Sequence, residues 1–169
     1  MGNFQDRTLR WALKEARRGR TGVFSRWMQE VVPFNRPHRL KILEFGEGAC
    51  TVELPKRRRN LNHLGTMHAC AMATAAEYAS GLCLLSTFGM KDVRLIMSHM
   101  NVAYTRRAQS SCTAQAHCSE ENQEALRKLL MKEGRAPLKL TSVVCDAEGH
   151  EVARAEIEWH LKGLGPTKR

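Results

Sequence analysis

The residues of this chain that are suited to chemistry concentrate between Asn62 and Glu77, in the segment NHLGTMHACAMATAAE. Its polar side chains occupy a loop and the first turns of an otherwise apolar helix, and Glu77 is the only acidic residue between Thr66 and Phe88. Burial disfavours an ionised carboxylate, so Glu77 needs a partner, access to water or a raised pKa. Perturbed carboxylates of this kind are enriched at active sites, which makes Glu77 a candidate catalytic group.

The start of the same helix offers backbone donors. The first N–H groups of a helix lack intrahelical acceptors, and the helix dipole adds positive potential there. If the helix begins near Thr66 or His68, the N–H of Ala69 or Cys70 is placed to stabilise an oxyanion. Thr66 is equally a candidate for the N-cap, which is a structural role.

The surrounding sequence predicts a sheet that covers one buried helix. From hydrophobic periodicity, helices are expected at residues 3–18, 23–32, 66–88 and 120–132, with a linker at 33–37. Strands are expected at residues 39–45, 49–54, 94–105, 112–118, 138–146 and 151–160. The helix at 66–88 is the most apolar segment, although Gly81 interrupts it. Helices gathered on one face of an antiparallel sheet define the α+β class.

Composition excludes several classes of protein. The shares of 43% hydrophobic and 26% charged residues are ordinary for a soluble globular domain. No apolar run approaches the roughly 20 residues of a membrane span, and no secretory signal opens the sequence, so a cytoplasmic protein is expected. The six cysteines form no CxxC pair, which favours reduced, mostly buried thiols. The histidines show no metal-ligand spacing, so no metal is expected.

The spacing Asn62-x-Leu64-Gly65-Thr66-x-His68, with Glu77 nine residues further on, resembles the signature of hotdog-fold thioesterases. In members of the PaaI and acyl-CoA thioesterase 13 type, this signature reads N-x-x-G-T-x-H-G-G, followed by Asp or Glu on the helix. The stretch MNVAYTRRA (100–108) is similar to the family's strand ending in R-P-A or S-P-A, and residues 140–143 and 153–161 fit its last hairpin. The YiiD-like branch, in which the double glycine is relaxed, is the most similar.

The resemblance implies an α+β hotdog fold, in which an antiparallel sheet wraps around a long central helix. It covers roughly residues 37–164, so residues 1–36 are expected to form an N-terminal helical extension and 165–169 a disordered tail. Because the acid and the oxyanion donor come from different subunits in this family, a homodimer is implied, or a dimer of dimers. No cofactor is implied beyond the coenzyme A of the substrate.

The resemblance also implies a role for each site residue. Glu77 acts as general base or nucleophile, and Asn62 orients water or the thioester. The N–H of Ala69 polarises the thioester carbonyl, and His68 holds the loop or touches the substrate. Further residues expected to contact the substrate are Gly65, Thr66 and Cys70.

The leading hypothesis is therefore an acyl-CoA thioesterase-like hydrolase. The sequence departs from the family where the double glycine is replaced by Ala69-Cys70, whose side chains crowd a site at which glycine permits close approach. A protein that binds acyl-CoA or an acyl-carrier protein without hydrolysis is the alternative hypothesis.

The formal charge of +10, with 27 basic and 17 acidic residues, favours a negatively charged partner. Nucleic acid is the weakest candidate, because the sequence has no motif that reads RNA or DNA. Guanidinium groups favour phosphate contacts, so Arg106, Arg107 and, within the run Lys56–Arg59, Arg58 are candidate ligands of the coenzyme A phosphates. Solvated charges at a strand end and in a loop are the alternative interpretation.

Overall fold

The computed structural model describes residues 11–16, 18–46, 48–90 and 92–164. Within these ranges, six strands form one sheet: β1 (Lys41–Gly46), β2 (Ala49–Leu54), β3 (Val93–Tyr104), β4 (Cys112–His117), β5 (Arg135–Cys145) and β6 (Glu151–Gly163). The helices are α1 (Thr21–Val31), α2 (Ala69–Phe88) and α3 (Glu120–Glu133), and residues 11–16 are also helical. Short 3-10 helices span Pro33–His38 and Arg58–Asn60. The predicted helix at 3–18 and the tail at 165–169 lie wholly or partly outside the described residues.

The strands run in the order β1-β2-β4-β5-β6-β3, and each pair of neighbours is antiparallel. Apolar residues of β6 alternate with exposed ones, so that one face of the sheet is buried, as the two-residue period of a strand requires. The order places the twelve-residue strand β3 at one edge, where β6 is its only partner among the described residues.

The central helix α2 packs on the buried face of the sheet, which confirms the predicted arrangement. It is apolar on all sides, which is typical of a helix enclosed in a core. The helix α2 is also long and apolar enough to span a membrane, judged by length and composition alone. The expectation that no apolar run approaches 20 residues is therefore wrong. The burial of 61% of its apolar window inside the domain instead identifies α2 as the core helix.

Gly81 lies within α2 without breaking it. A Cβ atom at this position would lie 3.3 Å from the Trp159 ring of β6, which is closer than an ordinary contact. The Trp159 indole N–H donates to Ser80 Oγ at 3.1 Å, and Ser80 Oγ donates to the Glu77 carbonyl at 2.8 Å. The glycine therefore gives the indole room to approach the helix.

The N-terminal segment packs against β1. Phe24 of α1 is fully buried, with its ring centroid 4.7 Å from that of Phe45, and Ser25 Oγ accepts the Ile42 N–H at 2.8 Å. The division of the chain into an extension at 1–36 and a domain at 37–164 stays a prediction.

Two local predictions were wrong. The stretch expected to be a linker is the 3-10 helix Pro33–His38, which Pro33 can begin because the first turn of a helix needs no N–H donor. Strand β5 begins at Arg135, before the expected start at Leu138. Pro137 lies where β5 pairs with β6 but extends beyond β4, so on the β4 side no strand needs the donor that proline lacks.

Candidate active site

The loop before the central helix is held together by Asn62. Its Oδ1 accepts the N–H groups of Leu64 and Thr66 at 2.9 and 3.2 Å, and its Nδ2 donates to Thr66 Oγ1 at 2.9 Å. Gly65 has a φ of +72°, a conformation that glycine adopts at little steric cost. These predicted site residues therefore form one hydrogen-bonded turn, in which the Asn62 amide has a structural role.

Hydrogen bonds join this loop to the segment after β3. The Met67 N–H donates to the Ala108 carbonyl at 2.9 Å, and the Tyr104 hydroxyl donates to the Ala69 carbonyl at 3.1 Å. The two sequence stretches that carry the resemblance, residues 62–68 and 100–108, thus meet at the start of α2.

A fully buried amide, Asn60, fixes the same loop from the other side. Its Nδ2 donates to the carbonyls of His38 and Pro55, both at 2.9 Å, and its Oδ1 lies 3.0 Å from His38 Nδ1. The Asn60 carbonyl accepts the His68 N–H at 2.8 Å. Asn60 was not predicted as part of this site, because only its burial distinguishes it from a surface asparagine.

His68, and not Thr66, is the N-cap of α2. Its Nδ1 accepts the Cys70 N–H at 3.0 Å, so this donor is already occupied. In the part of the chain that the structure describes, no acceptor receives the N–H of Ala69, the first helical residue. Of the two predicted oxyanion donors, Ala69 is therefore the available one, and it is exposed to an incoming ligand.

Glu77 is half-buried two turns further along α2. Burial raises the pKa of its carboxyl above the ordinary value of 4.5, and no basic group among the described residues forms a salt bridge with it. Glu77 lines a cavity of about 360 Å³ whose lining is mainly apolar. That lining includes Met28, Phe34, Leu82, Leu85, Leu95 and Trp159. An acid in such surroundings is suited to proton transfer.

One chain does not bring Ala69 and Glu77 together. They are eight residues apart on α2, which corresponds to about 12 Å along the helix axis at ~1.5 Å per residue. A general base must lie about 3 Å from the attacking water, and an oxyanion donor about 3 Å from the carbonyl oxygen of the same thioester. Within one chain the predicted site residues therefore fall into two separate groups, with Asn62, His68 and Ala69 in one and Glu77 in the other.

The candidate phosphate ligands lie outside the Glu77 cavity. Arg106 and Arg107 are exposed after β3 and line a polar depression of about 330 Å³ that also includes Asp146 and Glu148. Arg58 is exposed in the 3-10 helix Arg58–Asn60. The arginine pair is connected to the loop before α2 through the nearby Ala108 carbonyl, but the acidic neighbours reduce its positive potential.

Asp146, Glu148 and His150 present possible ligand atoms within 4.8 Å of one another on the turn between β5 and β6. Asp146 Oδ1 already accepts the N–H groups of Glu148 and His150, at 3.0 and 2.9 Å. The cluster is accounted for by the architecture of this exposed turn.

The six cysteines are all free, and four of them are buried, as predicted. Burial raises the pKa of Cys83 to about 12 and that of Cys112 to about 11, so these thiols stay protonated at neutral pH. Cys70, in the first turn of α2, is the exposed one.

Residues 20–161 match the model of a family described as a domain of unknown function, DUF4442. No curated protein matches the sequence. A Pseudomonas aeruginosa protein of unknown function, described as "Probable Thioesterase", is 24% identical with a TM-score of 0.76, and the match covers 83% of this chain and 94% of that one. A thioesterase from Haemophilus influenzae is 13% identical with a TM-score of 0.65, covering 85% and 94%. A mutant thioesterase from Staphylococcus aureus is 13% identical with a TM-score of 0.64, covering 77% and 98%.

These structural likenesses show a shared fold, with an antiparallel sheet wrapped around one long helix. The fold class predicted from the sequence is thereby confirmed. The family model extends over most of the chain, from α1 to near the end of β6. The chain therefore belongs to the DUF4442 family and has an α+β hotdog fold.

Proposed function

We propose that this protein is an acyl-CoA thioesterase-like hydrolase that works as a homodimer. The observation that carries the proposal is the half-buried Glu77 carboxyl, with its raised pKa, on the helix whose first N–H at Ala69 has no acceptor among the described residues. The thioesterase names of several structural neighbours support the same reaction class.

In this mechanism, Glu77 of one protomer removes a proton from water, and the water oxygen attacks the thioester carbonyl carbon. The N–H of the partner subunit's Ala69 donates to the carbonyl oxygen, where negative charge develops. The C–S bond then breaks, and the proton held by Glu77 passes to the leaving sulfur. The products are a free carboxylic acid and coenzyme A.

The exposed edge of the sheet supports the homodimer. Ile96 and Met97 on β3 are 56% and 43% exposed, and the outer edge of this strand is unpaired within the described chain. A long apolar edge strand is a template for pairing with a second copy. A two-fold dimer formed through β3 gives each site one Ala69 and one Glu77 from different chains.

The basic residues near the start of α2 support coenzyme A as the carrier. Arg106 and Arg107 follow β3, and Arg58 precedes the loop that begins at Asn62. Guanidinium groups bind phosphate oxygens through charge-assisted hydrogen bonds, so these residues would hold the phosphates while the acyl group enters the Glu77 cavity.

The test is hydrolysis of an acyl-CoA panel by the wild type, Glu77→Gln and Ala69→Pro, with chromatographic detection of coenzyme A. Proline is tolerated at the first helical position, and His68 has the extended conformation (φ −71°, ψ 136°) that a residue before proline prefers, so Ala69→Pro removes mainly the N–H. Loss of the base or of the donor should each lower kcat at least ~100-fold.

Ala69→Ser keeps the N–H and is the matched control, expected to retain most of the activity. Circular dichroism and light scattering report whether each variant keeps the fold and the dimer. Unchanged turnover in Glu77→Gln would remove this residue from the mechanism.

A second candidate function is acyl-CoA binding without hydrolysis. It is favoured by the exposed side chains of Ala69 and Cys70, which stand where the hotdog thioesterases that the sequence resembles have two glycines. Tight binding of acyl-CoA by calorimetry, with no product after prolonged incubation of the dimer, would support this alternative.

A further inference from the structure

The Glu77 cavity follows one face of α2. Glu77, Gly81 and Leu85 are spaced four residues apart, so they follow one another along the same face of the helix. All three line the cavity, and Trp159 of β6 lines it too. Each step of four residues is ~6 Å along the helix axis. The space beside Glu77 therefore continues along α2, past the turn that contains Gly81, towards Leu85.

The lining changes from exposed to buried across the cavity. Phe34 is 69% exposed and marks the mouth, whereas Leu82 and Trp159 are 1% and 5% exposed and form the deep part. The cavity volume of about 360 Å³ is near the lower end of the ~300–1,000 Å³ that is usual for ligand pockets. A chain that enters beside Phe34 therefore meets the buried part of the lining after a short distance.

The Trp159 indole is held in one position on this face of α2. Its N–H donates to Ser80 Oγ at 3.1 Å, and the fully buried Ser80 Oγ donates to the Glu77 carbonyl at 2.8 Å. The ring atoms Cη2 and Cζ2 lie 3.3 and 3.4 Å from the place that a Cβ atom of Gly81 would occupy. An indole that turned away would leave its buried N–H unpaired, so the ring stays against Gly81, one turn beyond Glu77.

We propose that Trp159 sets the upper limit on the length of the acyl chain, so that the pocket accepts short-chain acyl thioesters and rejects long-chain ones. A short chain fits between Glu77 and the indole, whereas a longer chain meets the ring beside Gly81. Extra methylene groups in a close-packed site force side chains out of their preferred rotamers, so each carbon past the limit weakens binding. This inference rests on the proposed function, because it takes the Glu77 cavity as the acyl pocket.

The experiment measures kcat/KM for butyryl-, hexanoyl-, octanoyl-, lauroyl- and palmitoyl-CoA. We expect the wild-type value to fall at least ~10-fold between two successive members, which is the discrimination that a methylene group brings in an apolar pocket. In Trp159→Phe, whose ring is smaller, the fall should move to a longer chain. Trp27→Phe is the matched control, because it makes the same replacement at a half-buried position outside the lining, and it should keep the wild-type profile.

A second variant changes the pocket in the opposite direction without opening a gap in the core. Leu85→Phe adds a ring at a half-buried position further along the same helix face, so the fall should move to a shorter chain. Circular dichroism reports whether each variant keeps the fold. A flat wild-type profile, or an unchanged profile in folded Trp159→Phe, would overturn the limit. If Trp159→Phe does not fold, an unchanged profile in Leu85→Phe overturns it.

The fluorescence of Trp159 gives a reading that does not depend on turnover. Trp11 and Trp27 are the other two tryptophans of the chain, so replacing both by Phe leaves Trp159 as the only indole. In that protein with Glu77→Gln added, acyl-CoAs long enough to reach the ring should shift the emission, and coenzyme A alone should not. Affinity should fall for longer chains.

These titrations separate the length limit from the proposed function. If the wild type hydrolyses none of the thioesters but the emission shift and the affinity depend on chain length in this way, the proposed function fails and the limit at Trp159 stands. If the wild type hydrolyses the whole panel equally well, the proposed function stands and the limit fails. Emission that no member of the panel changes would also overturn the limit.

Discussion

At the scale of single residues, Glu77 meets two opposing demands. It must be ionised to accept a proton from water, yet its burial beside apolar side chains raises its pKa above 4.5. A carboxyl with a raised folded-state pKa contributes stability below its unfolded pKa, and this contribution is lost as the pH rises through the folded value. At neutral pH the ionised Glu77 therefore destabilises the fold that presents it.

Glu77→Gln should consequently melt at a higher temperature than the wild type at pH 8. The difference should shrink as the pH falls towards 4, because the wild-type carboxyl then becomes protonated. Thermal unfolding followed by circular dichroism at several pH values measures this, with Glu148→Gln on an exposed turn as the control. A pH-independent difference, or one of opposite sign, would show that burial does not govern this carboxyl.

The sequence was a better guide to some residues than to others. Glu77 could be predicted because an acid in an apolar helix is visible in the sequence, and Ala69 because its place follows from the start of that helix. The role of the Asn60 amide could not be predicted, because its hydrogen bonds to His38 span 22 positions and are invisible in local spacing. His68 could not be chosen over Thr66 as the N-cap, because both residues lie at the start of the helix.

At the scale of elements, β3 is the unusual strand. It is twelve residues long and lies at the edge of the sheet, with exposed apolar side chains. Its existence was predicted from strand-like residues, but its edge position was not, because β3 neighbours β6 across a long stretch of chain. Edge strands of this kind in monomers usually carry charges or bulges that block pairing.

Met97→Lys should weaken the proposed dimer strongly, because two copies of the strand would bring unpaired ammonium groups into an apolar interface. We expect a shift from dimer to monomer in light scattering, and a matching loss of turnover. Met131→Lys is the control, since this methionine is 88% exposed on α3, away from the sheet edge. A dimer that survives Met97→Lys would place the interface elsewhere.

At the scale of the whole molecule, the fold was predictable because the order of elements is distinctive. Two strands, one long apolar helix and four strands leave few ways to hide the helix other than a sheet wrapped around it. The N-terminal segment was less predictable. Residues 33–37 have the composition of a linker, and only their packing beside α2 turns Asn35 into part of a cavity wall.

The separation of Ala69 and Glu77 along one rigid helix makes the proposed dimer open to genetic complementation. A mixed dimer of Ala69→Pro and Glu77→Gln chains would have both defects in one site and none in the other. Free exchange of equal amounts of the two chains should therefore restore about a quarter of the wild-type turnover, since about half of the dimers are mixed and each has one intact site. If both groups instead served the same site from one chain, two inactive proteins would stay inactive however they were combined.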